Sequence, residues 1–226
     1  MRAGNSWSLR CDLSPRACAL IVVDLQNDFC HPEAPIGRHV ERHVVNGMCS
    51  TITEIRKVAR IARVPVIWVR TVHRDATDSG PWLRRLAAGD PHVCREGSWG
   101  ARFYKLVPDD LDVVVEKHRY SAFHGTELQH VLRGLRCSTV VVVGTATNVC
   151  VESTVRDACM NDHDTVVVAD ATCAATEDEH CAALVNISRY FGSVVDSAEV
   201  IRAWTVSDED LGLHYLAESG RDLGNA

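Results

Sequence analysis

The chain has 226 residues, with 24 basic and 30 acidic side chains, a formal net charge of −6, and arginines scattered rather than clustered. That length accommodates one large α/β domain with a substantial core, and the charge pattern excludes a nucleic-acid-binding or polybasic membrane surface from the expected functions. No apolar run approaches the roughly 20 residues of a spanning helix, and the polar start MRAGNSWSLRCD lacks the apolar centre of a signal peptide, so a soluble, cytoplasmic protein is expected.

The expected organisation is an N-terminal lead (residues 1–16), one domain (17–204) and an acidic C-terminal extension (205–226). After the lead, residues 19–23 (ALIVV) form a first apolar strand, with Asp24 directly behind it in DLQNDF. A carboxylate at the carboxyl end of a parallel strand lies where open α/β sheets place ligands, although Asp24 can equally cap the following turn. Residues 31–38, with Pro32, Pro35 and Gly37, read as a loop. Over residues 44–62 the apolar positions keep helical spacing up to the break at Pro65, and residues 66–69 form a second strand, so the intervening helix implies a right-handed parallel crossover. Residues 70–99 are rich in Gly, Pro, Asp and His and read as one irregular loop shaping a pocket. Its His73 and His92 lack partners at metal-site spacing and are expected to be solvated or hydrogen-bonded.

The third strand, residues 113–115, ends in Glu116 and Lys117, at the level expected for Asp24. Only Lys57, Lys105 and Lys117 are lysines in a chain whose other basic residues are arginines, which makes a strand-end lysine informative. A helix over 126–135 follows. Residues 140–143 are four valines closed by glycine and read as a buried strand, and residues 149–158 return to helical spacing. Cys150 therefore falls at a strand-to-helix turn, where unpaired N–H groups and the helix dipole are expected to favour a thiolate and to bind an oxyanion. A fifth strand at 166–168, a loop at 169–176, a helix at 177–190, a short strand at 193–195 and a helix at 198–204 complete the domain.

The ten cysteines contain no C-x2-C pair, and several sit inside apolar runs, as expected for packing residues in a reducing compartment. No metal and no organic cofactor is expected, and no glycine-rich nucleotide fingerprint is present. Asp24, Lys117 and Cys150 together can run covalent acyl transfer: the carboxylate takes the thiol proton, the ammonium stabilises the thiolate, and the thiolate attacks a carbonyl. A buried ion pair beside a core cysteine is the structural alternative.

On the segments ALIVVDLQNDF, VVVEKHRYSAF and VVVGTATNVCVESTVRDA, the chain resembles the isochorismatase-like cysteine hydrolases over roughly residues 17–203. Within them its motifs look most like the ureidoacrylate and N-carbamoylsarcosine-type amidohydrolases. The resemblance implies a single three-layer, Rossmann-like domain with a six-stranded, mostly parallel sheet flanked by helices. It implies Asp24, Lys117 and Cys150 as catalytic triad, a cis peptide at Thr145–Ala146, and the backbone N–H groups of Ala146 and Cys150 as oxyanion hole. By position, Gln26, Phe29, Trp68, Tyr120, Ser121 and Phe123 are the expected substrate-pocket residues. The segment Arg70-Thr71-Val72-His73 lacks the Asp-x-His metal motif of nicotinamidases, so nicotinamide cleavage is not expected. The implied function is cleavage of a C–N bond in a small amide, ureido, carbamoyl or cyclic amide, by a homo-oligomer (dimer or tetramer) acting on a small molecule. The alternatives are an isochorismatase-type vinyl-ether hydrolase, and a non-catalytic interaction module with the same fold.

Overall fold

The computed structural model describes residues 11–89 and 91–205. The first ten residues of the expected lead, and all of the expected extension beyond Thr205, lie outside the described residues.

Apolar runs suit strands covered on both faces, and two of them, CALIVV and TVVVVGT, form the centre of the sheet, while the shorter VVVEK forms a partly exposed edge. The strands are β1 (Cys18–Val23), β2 (Val66–Thr71), β3 (Val113–Lys117), β4 (Thr139–Thr145), β5 (Asp164–Cys173) and β6 (Ser193–Val195). They form one sheet in the order β3-β2-β1-β4-β5-β6, every neighbouring pair parallel. Both β1 and β4 are buried along their whole length. The period of two along each strand divides the core into two layers. Leu20, Val22, Val141 and Val143 face α2 (Arg42–Ile61) and α7 (Ser197–Thr205), where Met48, Ile52, Ile55 and Trp204 pack. Ile21, Val23, Val140 and Val142 face the opposite way, against Leu128 and Leu132 of α4 (Leu128–Leu135), Val155 and Ala158 of α5 (Glu152–Met160), and Ile187 of α6 (Glu177–Tyr190). The expected three-layer α/β architecture is therefore present.

Helix α6 begins where its sequence signal lies. The Thr176 side chain accepts from Glu179 N, and the Glu179 carboxylate accepts from Thr176 N, a reciprocal cap of both ends of the first turn. Three expectations are corrected. Residues 70–99 are not wholly irregular, because they contain α3 (Gly80–Ala87), N-capped by Ser79 and with Pro81 in its first turn. None of its residues is fully buried, and its apolar positions Trp82, Leu83 and Leu86 are too few to stand out from the surrounding Gly, Pro, Asp and His. Strand β5 runs on through part of the expected 169–176 loop. A register shift opposite Val142 and Gly144 lets Thr172 and Cys173 resume pairing with Gly144 and Thr145. The helix expected over 149–158 becomes α5 only at Glu152 and is preceded by a π-helical segment, Thr147–Val151, so Cys150 lies in a widened strand-to-helix turn. Among the described residues no helix is long and apolar enough to cross a membrane. A further short helix, α1 (Asn27–Cys30), follows β1.

Candidate active site

The sheet order reverses direction between β1 and β4, which leaves a crevice at the carboxyl ends of these strands. Four neighbouring strands each deliver a polar group there: Lys117 ends β3, Thr71 ends β2 in register with Lys117, Asp24 follows β1, and Cys150 follows β4. The groups lie far apart in the chain but are consecutive in space. Asp24 turns into the crevice through a left-handed backbone, φ 50°, which aspartate tolerates better than most residues. Its N–H donates to Val69 O at 2.9 Å, and its carbonyl accepts from Gln26 N at 2.8 Å.

Gly144 brings β4 close enough. Its φ is +115°, and a Cβ there would lie 2.1 Å from Val23 O, so only glycine permits this approach of β4 to β1. The peptide Thr145–Ala146 that follows is cis. Ala146 O then accepts from Val149 N and Val151 N, at 3.1 and 3.2 Å, closing the turn around Cys150. From α5, the Thr154 hydroxyl donates to Cys150 O at 2.7 Å.

Lys117 is the hub. Its Nζ lies 2.8 Å from Asp24 Oδ2 and donates to Thr71 Oγ1 at 2.7 Å, Arg119 O at 3.0 Å and Cys150 Sγ at 3.4 Å. Thr71 Oγ1 in turn donates to Asp24 Oδ1 at 3.0 Å. Asp24 Oδ2 is buried with no aligned hydrogen-bond partner. Its contact is the ion pair with the Lys117 ammonium, and the Cys150 thiol lies near both. Asp24 and Lys117 are both fully buried.

Burial pushes the Cys150 thiol well above its ordinary range, the Asp24 charge pushes it the same way, and the nearby Lys117 ammonium only partly opposes them. Burial and the Asp24 charge thus favour the neutral thiol, against the thiolate that the helix terminus is expected to favour. For Lys117, burial acts to lower the pKa, but the shift is upward overall, with the Asp24 charge the largest cause raising it. Burial lowers the His73 pKa against the pull of Asp78, whose Oδ1 lies 3.3 Å from His73 Nδ1.

A cavity of about 460 Å³ opens onto Cys150, lined among others by Phe29, Ile36, His73, Trp82 and Tyr120. Of the expected pocket residues, Phe29 and Tyr120 line it, as do Ala146 and Cys150. Four others do not. Gln26 is fully buried and spends its amide on the backbone, bonding Thr71 O, Thr71 N and Ala101 O at 2.9, 2.7 and 2.8 Å. Trp68 points to the α2 side of the sheet, its Nε1 donating to Asp112 Oδ2 at 2.9 Å. Phe123 packs with the opposite core layer, and Ser121 accepts from Phe123 N and faces a separate shallow depression. Position after a strand gives depth along the sheet, but the face a side chain takes depends on the turn that follows.

Thr71 and Trp82 escaped the sequence reading. Thr71 lies beyond the apolar run that marked β2, and its signal is its place in the same strand-end row as Asp24 and Lys117. Trp82 belongs to α3, a helix of eight residues inside a segment rich in Gly, Pro, Asp and His. His73 is hydrogen-bonded, stacked on Trp82 at 4.2 Å between ring centroids with 6° between planes. Among the described residues no three His, Cys, Asp or Glu side chains group as a metal site.

An open parallel α/β sheet with an acid, an ammonium and a thiol converging at its switch point defines an enzyme-like class of fold and site. The chain belongs to the isochorismatase domain family, whose model matches residues 18–199. It is 36% identical over 232 residues to the ureidoacrylate amidohydrolase RutB of Methylobacterium radiotolerans, covering 93% of this chain and 86% of that protein. It is 32% identical over 195 residues to nicotinamidase 3 of Arabidopsis thaliana, covering 85% and 91% of the two chains. The crystal structure of a cysteine hydrolase from Pseudomonas syringae pv. phaseolicola superposes with a TM-score of 0.80 at 32% identity, covering 87% of this chain and 96% of that one.

Proposed function

We propose that this protein is a cysteine-dependent amidohydrolase that cleaves a C–N bond of a small amide, ureido or carbamoyl compound, or cyclic amide, through a thioester acyl-enzyme. The observation that carries this reading is the buried cluster in which Lys117 Nζ lies 2.8 Å from Asp24 Oδ2 and reaches Cys150 Sγ at 3.4 Å, joining carboxylate, ammonium and thiol. The amidohydrolase and nicotinamidase relatives support the bond type.

Because the neutral thiol is the favoured form, proton removal accompanies attack. Asp24 takes the thiol proton as Sγ bonds to the substrate carbonyl carbon, and Lys117 balances the negative charge that passes through sulfur. The oxyanion of the tetrahedral intermediate accepts from the N–H groups of Ala146 and Cys150. Collapse breaks the C–N bond, and Asp24 returns the proton to the leaving nitrogen. Water, deprotonated by the same carboxylate, then hydrolyses the thioester and restores the thiol. The family resemblance adds a cytoplasmic homo-oligomer, dimer or tetramer, which light scattering and fractionation test.

Screening small amides, ureido acids and lactams for ammonia or amine release, with intact-protein mass spectrometry for an acyl adduct on Cys150, tests the mechanism. Cys150→Ala is expected to abolish turnover while keeping the fold. Retained turnover in that variant refutes the reading.

A further inference from the structure

The walls of the cavity carry information about the substrate beyond the bond that is cleaved. At about 460 Å³ it falls among sites that enclose ligands of drug size, roughly 300–1,000 Å³. Its chamber is built by Phe29, Ile36, Pro81, Trp82, Val93 and Val149, and nearly all of the surface it offers is carbon. The Trp82 ring lies flat on His73, so one wall is a stacked aromatic face.

Much of the polar capacity of the lining residues is directed into the protein. His73 Nδ1 pairs with Asp78, and His118 Nδ1 donates to Val72 O at 2.6 Å. Arg119 Nη1 donates to Thr77 O at 3.0 Å and His118 O at 2.6 Å, and Arg85 donates to the Tyr120 hydroxyl. Thr71 serves Lys117 and Asp24, and Thr145 Oγ1 donates to Cys173 O at 3.3 Å. Trp82 Nε1 has no acceptor but is closed to solvent, so it offers no exposed donor. A small anionic acid would leave most of this apolar surface wet. An aromatic ring would cover it and displace poorly held water.

We infer that the preferred substrate is an amide bearing an aromatic or comparably bulky apolar substituent, seated against the Trp82 wall with its carbonyl at Cys150. This rests on the amidohydrolase reading for the reaction, but the shape of the chamber is independent of it.

Two measurements separate the two claims. In the first, kcat/KM for ammonia release is compared between 3-phenylpropionamide and succinamate, a neutral aromatic and a small anionic primary amide. The aromatic amide is expected to be favoured by about tenfold or more, and Trp82→Ala should reduce that preference, chiefly through KM. In the second, the rate of Cys150 labelling by N-benzyl-2-chloroacetamide is compared with that by 2-chloroacetamide, each normalised to its rate with glutathione. The thiol displaces chloride, forming a C–S bond and releasing HCl, so no turnover is required. Preferential labelling by the benzyl reagent supports the apolar chamber even if neither amide is hydrolysed, an outcome that would count against the amidohydrolase reading alone. Preference for succinamate, or equal normalised labelling rates, overturns the substrate inference and leaves the hydrolase reading standing.

Discussion

Thr71 Oγ1 accepts a hydrogen bond from Lys117 Nζ at 2.7 Å. The same hydroxyl donates to Asp24 Oδ1, so its single proton is directed to the carboxylate and its lone pair to the ammonium. This bridge occupies Oδ1, while Oδ2 stays with the Lys117 ammonium on the side of the thiol. An ammonium has three protons, and four acceptors surround this one. The hydroxyl thus orders a cluster that would otherwise have competing arrangements.

Replacing that hydroxyl by a methyl should disorder the cluster without changing its volume. For Thr71→Val we expect kcat to fall about 10- to 100-fold and urea stability to fall by roughly 1–3 kcal/mol, since two buried polar groups lose a partner. Thr71→Ser should restore both. Equal losses in the valine and serine variants would assign Thr71 to packing alone.

Asp24→Asn separates base catalysis from thiol acidity. It removes a charge that pushes the Cys150 pKa up and leaves the Lys117 ammonium unopposed. The variant should be inactive as a hydrolase, yet its Cys150 should react with iodoacetamide at pH 8 faster than wild type, by roughly tenfold for each unit of pKa decrease. Slower labelling would mean that the carboxylate assists the thiol more than it suppresses it.

Gly144→Ala tests the approach of β4 to β1. The added methyl meets Val23 backbone at 2.1 Å and sits on a φ of +115°, so either the strand shifts or the turn carrying Cys150 is lost. We expect a destabilisation of more than about 4 kcal/mol, seen as a large drop in the denaturant midpoint or as insoluble protein. A soluble variant with an unchanged midpoint would show that the sheet relaxes freely there.

Alkali should unfold the protein through its buried thiols. Burial raises Cys49 to about 11 and Cys18 to about 12, from an ordinary 9.0. The folded values lie above the unfolded ones, so this contribution to stability is complete below pH 9 and is lost as pH rises towards 11 and 12. Each such thiol adds up to about 1.4 kcal/mol per pH unit to the decline across that window. Denaturant midpoints measured from pH 8 to 11.5 should fall more steeply for wild type than for Cys18→Ala or Cys49→Ala, and identical slopes would contradict the assignment.

The sequence by itself determined which segments become strands and what stands at their ends. Short β-branched apolar runs mark the strands, and Asp24, Lys117 and the Cys150 turn are readable because each stands just beyond one of them. The capping residues Thr176 and Glu179 likewise mark α6 locally. Contact between those ends was decided only by the tertiary structure. The order β3-β2-β1-β4 makes neighbours of residues that are distant in the chain, and it inserts Thr71 between Lys117 and Asp24. The cavity is assembled from α3, from the segments after β1 and β3, and from the turn after β4, so no single stretch announces its lining. Trp68 and Phe123 have the right chemistry for a pocket, but Trp68 lies on the α2 side of the sheet and Phe123 packs into the core without lining the cavity. The protonation of Cys150 is likewise a tertiary property, because it depends on full burial and on two charges brought to the thiol by other strands.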